Sequence, residues 1–174
     1  MPNYYNSCYD PCYTYNYCYP VCCQPCPPCP PCPPTPPTPP PLVYPIAISA
    51  ALNGANEVPP NASTATGILT GSLVSVGGAT IFAFALTTTG LANITAAHFH
   101  DGVAGVNGPI VKNIDINPLT GVAVGTWSTT DLLQPLTADL IAKLQSGALY
   151  VNVHTATLPG GEIRGQTRIQ VIKV

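Results

Sequence analysis

The sequence predicts an antiparallel β-sandwich or barrel with one short helix, set behind an extended polyproline II arm. Three observations carry this. About eight short segments rich in Val, Ile, Thr and Phe are separated by Gly and Pro turns, the pattern of an all-β domain. A single stretch has helical periodicity with both ends marked. The composition changes abruptly near residue 45: all eight cysteines lie at or before Cys32, and 16 of the 22 prolines lie at or before Pro45. The chain therefore divides into a Cys/Tyr-rich arm (1–23), a proline linker (24–45) and a cysteine-free domain (46–174).

In residues 1–23, Tyr, Cys and Asn dominate, and Asp10 is the only charge. No periodicity places this segment on a helix or a strand. It also lacks the cationic start and apolar core of a secretory signal peptide. Dense cysteine normally marks an oxidising location. Without such a signal it is reconciled in one of three ways: metal binding, a signal already removed, or release by cell lysis followed by oxidation. The last is the route of spore coat and appendage proteins. The expected location is extracellular, at a cell or spore surface.

Residues 24–41 repeat in threes, as QPC, PPC, PPC, PPT, PPT and PPP. Proline fixes φ and has no N–H to donate, so the run is expected to be polyproline II. Three residues per turn put Cys26, Cys29 and Cys32 on one edge. At ~3.1 Å rise per residue, neighbouring thiols on that edge are ~9 Å apart. A disulfide needs Cα atoms within about 7 Å. These cysteines are thus expected to pair with another segment or another chain. Free thiols in a disordered tail are one competing reading and zinc at the two C-x-x-C spacings another, but the intervening Pro-Pro opposes the turn a zinc knuckle needs. The adjacent Cys22 and Cys23 would be strained as a mutual pair. Cys8, Cys12, Cys18, Cys22, Cys23, Cys26, Cys29 and Cys32 are therefore all candidates for intermolecular disulfides.

In the domain, strands are expected at 46–52, 67–76, 80–88, 94–100, 110–116, 122–128, 148–155 and 162–174. Gly77-Gly78 joins the second and third as a hairpin turn. The last run alternates, with Ile163, Gly165, Thr167, Ile169 and Val171 opposite Arg164, Gln166, Arg168 and Gln170. The helix is capped by Thr137, carries Leu140, Ile141 and Leu144 as its apolar stripe, and stops at Gly147.

Only 12 of the 174 residues are charged, and five of them are basic. That leaves no electrostatic footprint for nucleic acid. No apolar run approaches the ~18 residues of a membrane span. A surface of Thr, Ser, Asn and Gly repels its own copies weakly and favours packing against them.

Four motifs make the domain recognisable: Leu52-Asn53-Gly54-Ala55-Asn56-Glu57-Val58-Pro59-Pro60; Thr95-Ala96-Ala97-His98-Phe99-His100; Gly108-Pro109-Ile110-Val111; and Leu149-Tyr150-Val151-Asn152-Val153-His154-Thr155 with Pro159-Gly160-Gly161-Glu162-Ile163-Arg164-Gly165-Gln166. In this order they resemble the CHRD (chordin-type) domain over roughly residues 46–169. The resemblance implies an immunoglobulin-like β-sandwich of Greek-key type, found in extracellular chordin and in microbial surface or secreted proteins. It implies no established catalysis, and the arm lies outside it.

All three histidines lie within these motifs. His98 and His100 are two apart on a strand, so both imidazoles leave the same face. With His154 on a strand that could be adjacent, they form a candidate Zn or Cu site. The structural alternative has the histidines bonding to loops, with Glu162 and Asp101 as partners. Glu162 and Arg164 are expected on one face, as an ion pair or as bonds to the 53–60 loop. The strand histidines are similar to those of the copper-zinc superoxide dismutase sandwich, but the further histidines of a two-metal site are lacking. No nucleotide, hydrolase or paired-carboxylate motif is present, so no enzyme and no required cofactor are expected. The leading expectation is a structural surface protein, a self-assembling fibre or coat subunit. Its partners are copies of itself, joined through the arm by disulfides. The alternative is an extracellular metal- or ligand-binding module on a rigid stalk.

Overall fold

The computed structural model describes residues 45–170, which belong to one compact unit. The arm cysteines, the polyproline linker and the last four residues of the expected final strand lie outside the described residues. The strands are β1 (Ile46–Asn53), β2 (Thr66–Val76), β3 (Ala79–Thr89), β4 (Ile94–Asp101), β5 (Ile110–Ile114), β6 (Val122–Ser128), β7 (Leu149–Thr155), β8 (Ile163–Gln166) and β9 (Arg168–Ile169). The one α-helix, α1, spans Ala138–Ser146.

Local chemistry accounts for the boundaries. β2 and β3 pair from Thr66↔Thr89 to Val76↔Ala79. The two residues between Val76 and Ala79, Gly77 and Gly78, have φ of 58° and 83°. A two-residue turn with both φ positive follows strand twist, and glycine adopts it without steric cost. Thr137 accepts the Leu140 N–H at the start of α1, and Gly147 ends the helix at φ 80°, donating to Lys143 O. Both caps are the ones expected from sequence.

All ladders between strands are antiparallel, and the strand order is β5-β4-β7-β8-β1-β2-β3-β6, with β9 also on β1. β3 and β4 are far apart in this order. Nevertheless the Phe84 ring on β3 lies 5.2 Å from the Phe99 ring on β4, and Phe82 lies 6.1 Å from it. Trp127 on β6 is 5.4 Å from Phe99. The ladder therefore curls over on itself and closes two layers on one core, as the sandwich expectation required. Leu69, Phe82, Leu86, Phe99, Trp127, Val151, Val153 and Ile163 are wholly buried there. The Trp127 indole N–H donates to Gln134 O at 2.6 Å, so its polar edge is satisfied inside the core.

The final strand differs from expectation. It breaks at Thr167, whose hydroxyl lies within hydrogen-bonding distance of Leu144 O and Leu149 O and whose N–H also donates to Leu149 O. Tying Thr167 to the end of α1 and the start of β7 interrupts the pairing, and β9 keeps two residues. Ile169, in the apolar set of that alternation, is 43% exposed, while Arg164, in the polar set, is 1% exposed.

Gly71 on β2 has no room for a side chain. A Cβ there would lie 2.5 Å from Ala83 O and 2.6 Å from the Phe82 ring. Gly71→Ala is expected to destabilise the domain by about 1–3 kcal/mol, as overpacking of a dense core does. Urea unfolding of the variant against the parent measures this.

Candidate functional site

On β4, Ala97 and Phe99 point into the core, so His98 and His100 point to the opposite face. On β7, Val151 and Val153 take the core side, which turns Tyr150, Asn152 and His154 to that same opposite face. The β4–β7 register sets His98 against Asn152, His100 against Tyr150, and Ala96 against His154. β8 adds Arg164 opposite Asn152 and Gln166 opposite Tyr150. Register shifts lie beside the histidines, between Ile94 and Ala96 toward β7 and between Phe99 and His100 toward β5. Bulges of this kind re-aim side chains.

The expectation that the three histidines converge is met in their placement. The His98 and His154 rings are 4.9 Å apart, His98 and His100 5.6 Å, and His100 and His154 6.3 Å. One nitrogen from each can be chosen so that all three lie within 4.8 Å of one another. His100 stacks on Tyr150 at 4.7 Å with ring planes 7° apart. His100 Nδ1 is 2.9 Å from Gly108 O, and His154 Nδ1 is 2.9 Å from Pro159 O. A carbonyl only accepts, so both Nδ1 atoms carry protons, and in the neutral ring Nε2 is then the atom with the lone pair. His98 Nδ1 then donates to His154 Nε2 at 3.1 Å. Asn152 Oδ1 lies 3.0 Å from the same His154 nitrogen. His100 Nε2 is buried without a partner.

Two expected pairings are corrected. Glu162 and Asp101 are not the partners of the histidines. Glu162 accepts from the Ser63 hydroxyl at 2.7 Å and the Thr155 hydroxyl at 2.6 Å, and Asp101 accepts from Lys143 at 2.7 Å. Nor do Glu162 and Arg164 pair, because Ser63 and Thr155 hold Glu162 while the 102–108 loop holds Arg164. Arg164 turns under the 102–108 loop and donates to Val103 O, Val106 O and Asn107 Oδ1 at 3.1, 2.9 and 3.2 Å. Its guanidinium lies 3.4 Å from the Tyr150 ring centroid. The expected link to the 53–60 loop exists through backbone, as Asn56 donates to Arg164 O at 3.1 Å. Asn107 joins the two loops by donating to Val58 O at 2.8 Å.

Sequence reasoning gave no role to Asn152, Tyr150 or Glu57. The first two were visible in the alternation of Tyr150-Val151-Asn152-Val153-His154, which places them on the face of His154. Glu57 arrives from a loop, and no periodicity announces it. It is 5% exposed, and its carboxyl fills the space beside Gly161, where a Cβ would lie 2.6 Å from Oε1. Burial raises its pKa to about 7 against the opposing pull of the Arg164 charge and the Val58 N–H. Burial, reinforced by His154 and His100, lowers His98 to about 4. His100 is also lowered, mainly by burial. His98 and His100 are thus neutral at pH 7, with lone pairs for a cation rather than protons to give.

The fold and this face together define a β-sandwich with a polar, histidine-bearing sheet surface roofed by two loops. The CHRD domain family matches residues 48–167, and the chain belongs to that family. The match takes in β1 through β8, with all three histidines, and excludes the arm. Neither curated proteins nor solved structures give a match.

The pKa directions set a pH dependence. Glu57 holds its proton in the folded state up to about 7 but loses it near 4.5 when unfolded. Its contribution is therefore fully present below 4.5 and is lost as pH rises toward 7. His98 has the opposite sign, contributing above 6.5 and losing it as pH falls toward 4. Glu57→Gln imitates the protonated carboxyl. Its stability relative to the parent should rise steadily between pH 4.5 and 7, as read by denaturant unfolding across that range. A ¹³C titration of the Glu57 carboxyl should have its midpoint near pH 7.

Proposed function

We propose that the chain is a structural surface protein, a self-assembling fibre or coat subunit whose arm cross-links neighbouring copies through disulfides. The observation that carries this is the separation of thiols from core. All eight cysteines precede the domain, and the β-sandwich buries its apolar core with no cysteine in it. The thiols are therefore not needed to hold the domain together. The extracellular setting of CHRD domains supports the reading, as does the spacing of Cys26, Cys29 and Cys32. No helix among the described residues is long and apolar enough to cross a membrane.

The domain also carries apolar side chains suited to contact between copies. Leu119, Leu132 and Leu133 are more than 90% exposed, and Val124 is 79% exposed. Val124 lies on β6, one end of the strand order. An end strand offers unpaired backbone groups as well as side chains.

Native material run on a gel without reductant is expected to give a ladder of multimers that collapses to one band with reductant. A single monomer band in both lanes would reject the proposal. Deleting residues 1–45 should abolish the ladder and leave the domain folded. Val124→Lys with Leu132→Lys should slow assembly while changing stability by less than about 0.5 kcal/mol, the usual range for surface substitutions. Light scattering and thermal unfolding separate these two effects.

The second reading, a metal- or ligand-binding module on a stiff stalk, is favoured by the imidazole cluster. On that reading the oxidised full chain stays monomeric in solution, and removal of residues 1–45 leaves ligand binding intact.

A further inference from the structure

The three histidines are arranged for more than hydrogen bonding to loops. We propose that His98 Nδ1, His100 Nε2 and His154 Nε2, with the Asn152 amide oxygen beside them, form a mononuclear site for a first-row divalent metal of the zinc or copper class.

A role limited to loop bonding explains part of the geometry and leaves the rest. It accounts for the bonds from His100 Nδ1 to Gly108 O and from His154 Nδ1 to Pro159 O. It does not account for His100 Nε2, which is buried and has no partner although the side chain is only 7% exposed. Nor does it account for Asn152 Oδ1 facing His154 Nε2 at 3.0 Å, since both atoms are acceptors when the imidazole is neutral. Turning the Asn152 amide end for end repairs the second contact and also points its N–H groups toward His100, which Asn152 approaches as well. A cation among the four atoms satisfies both.

The distances fit a metal. Tetrahedral zinc at about 2.0–2.1 Å from each nitrogen sets ligand nitrogens about 3.4 Å apart. His98 Nδ1 and His154 Nε2 are already 3.1 Å apart, and the cluster spans no more than 4.8 Å. Small side-chain rotations close the rest. The two carbonyls that accept from Nδ1 of His100 and His154 fix those rings with Nε2 inward, as outer-shell bonds to metal-bound histidines do. His98 differs, because its Nδ1 faces inward and carries the shared proton. Coordination moves that proton to Nε2, a change of tautomer with no change in charge. Imidazole nitrogens with one amide oxygen suit zinc or copper, whereas calcium and magnesium take oxygen ligands. His98 and His154 are only partly buried, so the site opens toward solvent.

The test uses the full chain with its eight thiols alkylated, so that the arm cannot bind the metal. Zn²⁺ or Cu²⁺ is added, and retained metal is counted after desalting. One equivalent per chain and a rise in melting temperature are expected. His98→Gln and His154→Gln should each abolish retention, and Asn152→Ala should weaken binding about 10- to 100-fold, the usual effect of outer or auxiliary partners. Should a variant fail to fold, the parent itself decides. Electron paramagnetic resonance of the Cu²⁺ form should show coupling to three imidazole nitrogens. Coupling to fewer than three overturns the proposal. So does an alkylated chain that retains no metal and melts unchanged, or equal retention by folded His154→Gln. None of these outcomes bears on disulfide cross-linking, which the gel reads separately.

Discussion

The contact of Phe99 with Phe82, Phe84 and Trp127 is the interaction on which the rest of the structure depends. Hydrogen bonding alone orders the strands into a ladder with two ends. The aromatic cluster is what folds that ladder over, because it joins β4, near one end, to β3 and β6 at the other. Removing a ring of this size from a dense core costs about 3–5 kcal/mol, a large share of the stability of any small domain. Once Phe99 faces inward, strand alternation leaves no freedom for its neighbours. His98 and His100 must face out, and the pairing with β7 brings Asn152 and His154 beside them. The histidine cluster is thus a by-product of the same alternation that fills the core.

That outer face is only partly left to solvent. The 53–61 and 102–108 loops roof it, and the domain spends its scarce charges there. Arg164 donates to three groups in one loop and lies against the ring of Tyr150. Glu57, beside it, is held close to neutrality by burial. Two further ion-pair groups, Lys112 with Asp131 and Lys143 with Asp101 and Asp139, are more exposed and add little stability. A domain with so few charges has placed its most buried ones around one polar surface. This costs desolvation and contributes geometry, since Arg164 holds Val103 O, Val106 O and the Asn107 amide in place.

How much of this was legible in sequence follows from how local each feature is. The Gly77-Gly78 turn, the Thr137 and Gly147 caps and the shared face of His98 and His100 depend on a few consecutive residues, and all were readable. The approach of His154 needed the β4–β7 register, which is set by residues some fifty positions apart. The family motifs pointed to it without explaining it. Arg164 was placed on the correct side of its strand, yet alternation cannot say that a loop some sixty residues away covers that side. Ile169 was misplaced for a similar reason. Thr167 is claimed by carbonyls of α1 and β7, and the strand that alternation would have continued ends early. Glu57 reaches the site from a loop, where no period exists to be read.

The distribution of chemistry along the chain has a consequence for order of events. Thiols and imidazoles both bind soft or borderline metals, and thiols also oxidise. Here they are segregated, with every cysteine before Ile46 and every histidine on a strand of the domain. The domain's core and caps contain nothing sensitive to redox state, so the domain can reach its final structure while the arm is still reduced. On the cross-linking reading, covalent bonds then form between units that are already folded, and oxidation fixes contacts without being required to create the fold. A protein with the same eight cysteines spread through its strands would have to oxidise and fold together, and wrong pairings would trap it unfolded. Confining the thiols to the sequence ahead of the domain removes that conflict and leaves the imidazole cluster unexposed to competition from thiolates within its own domain.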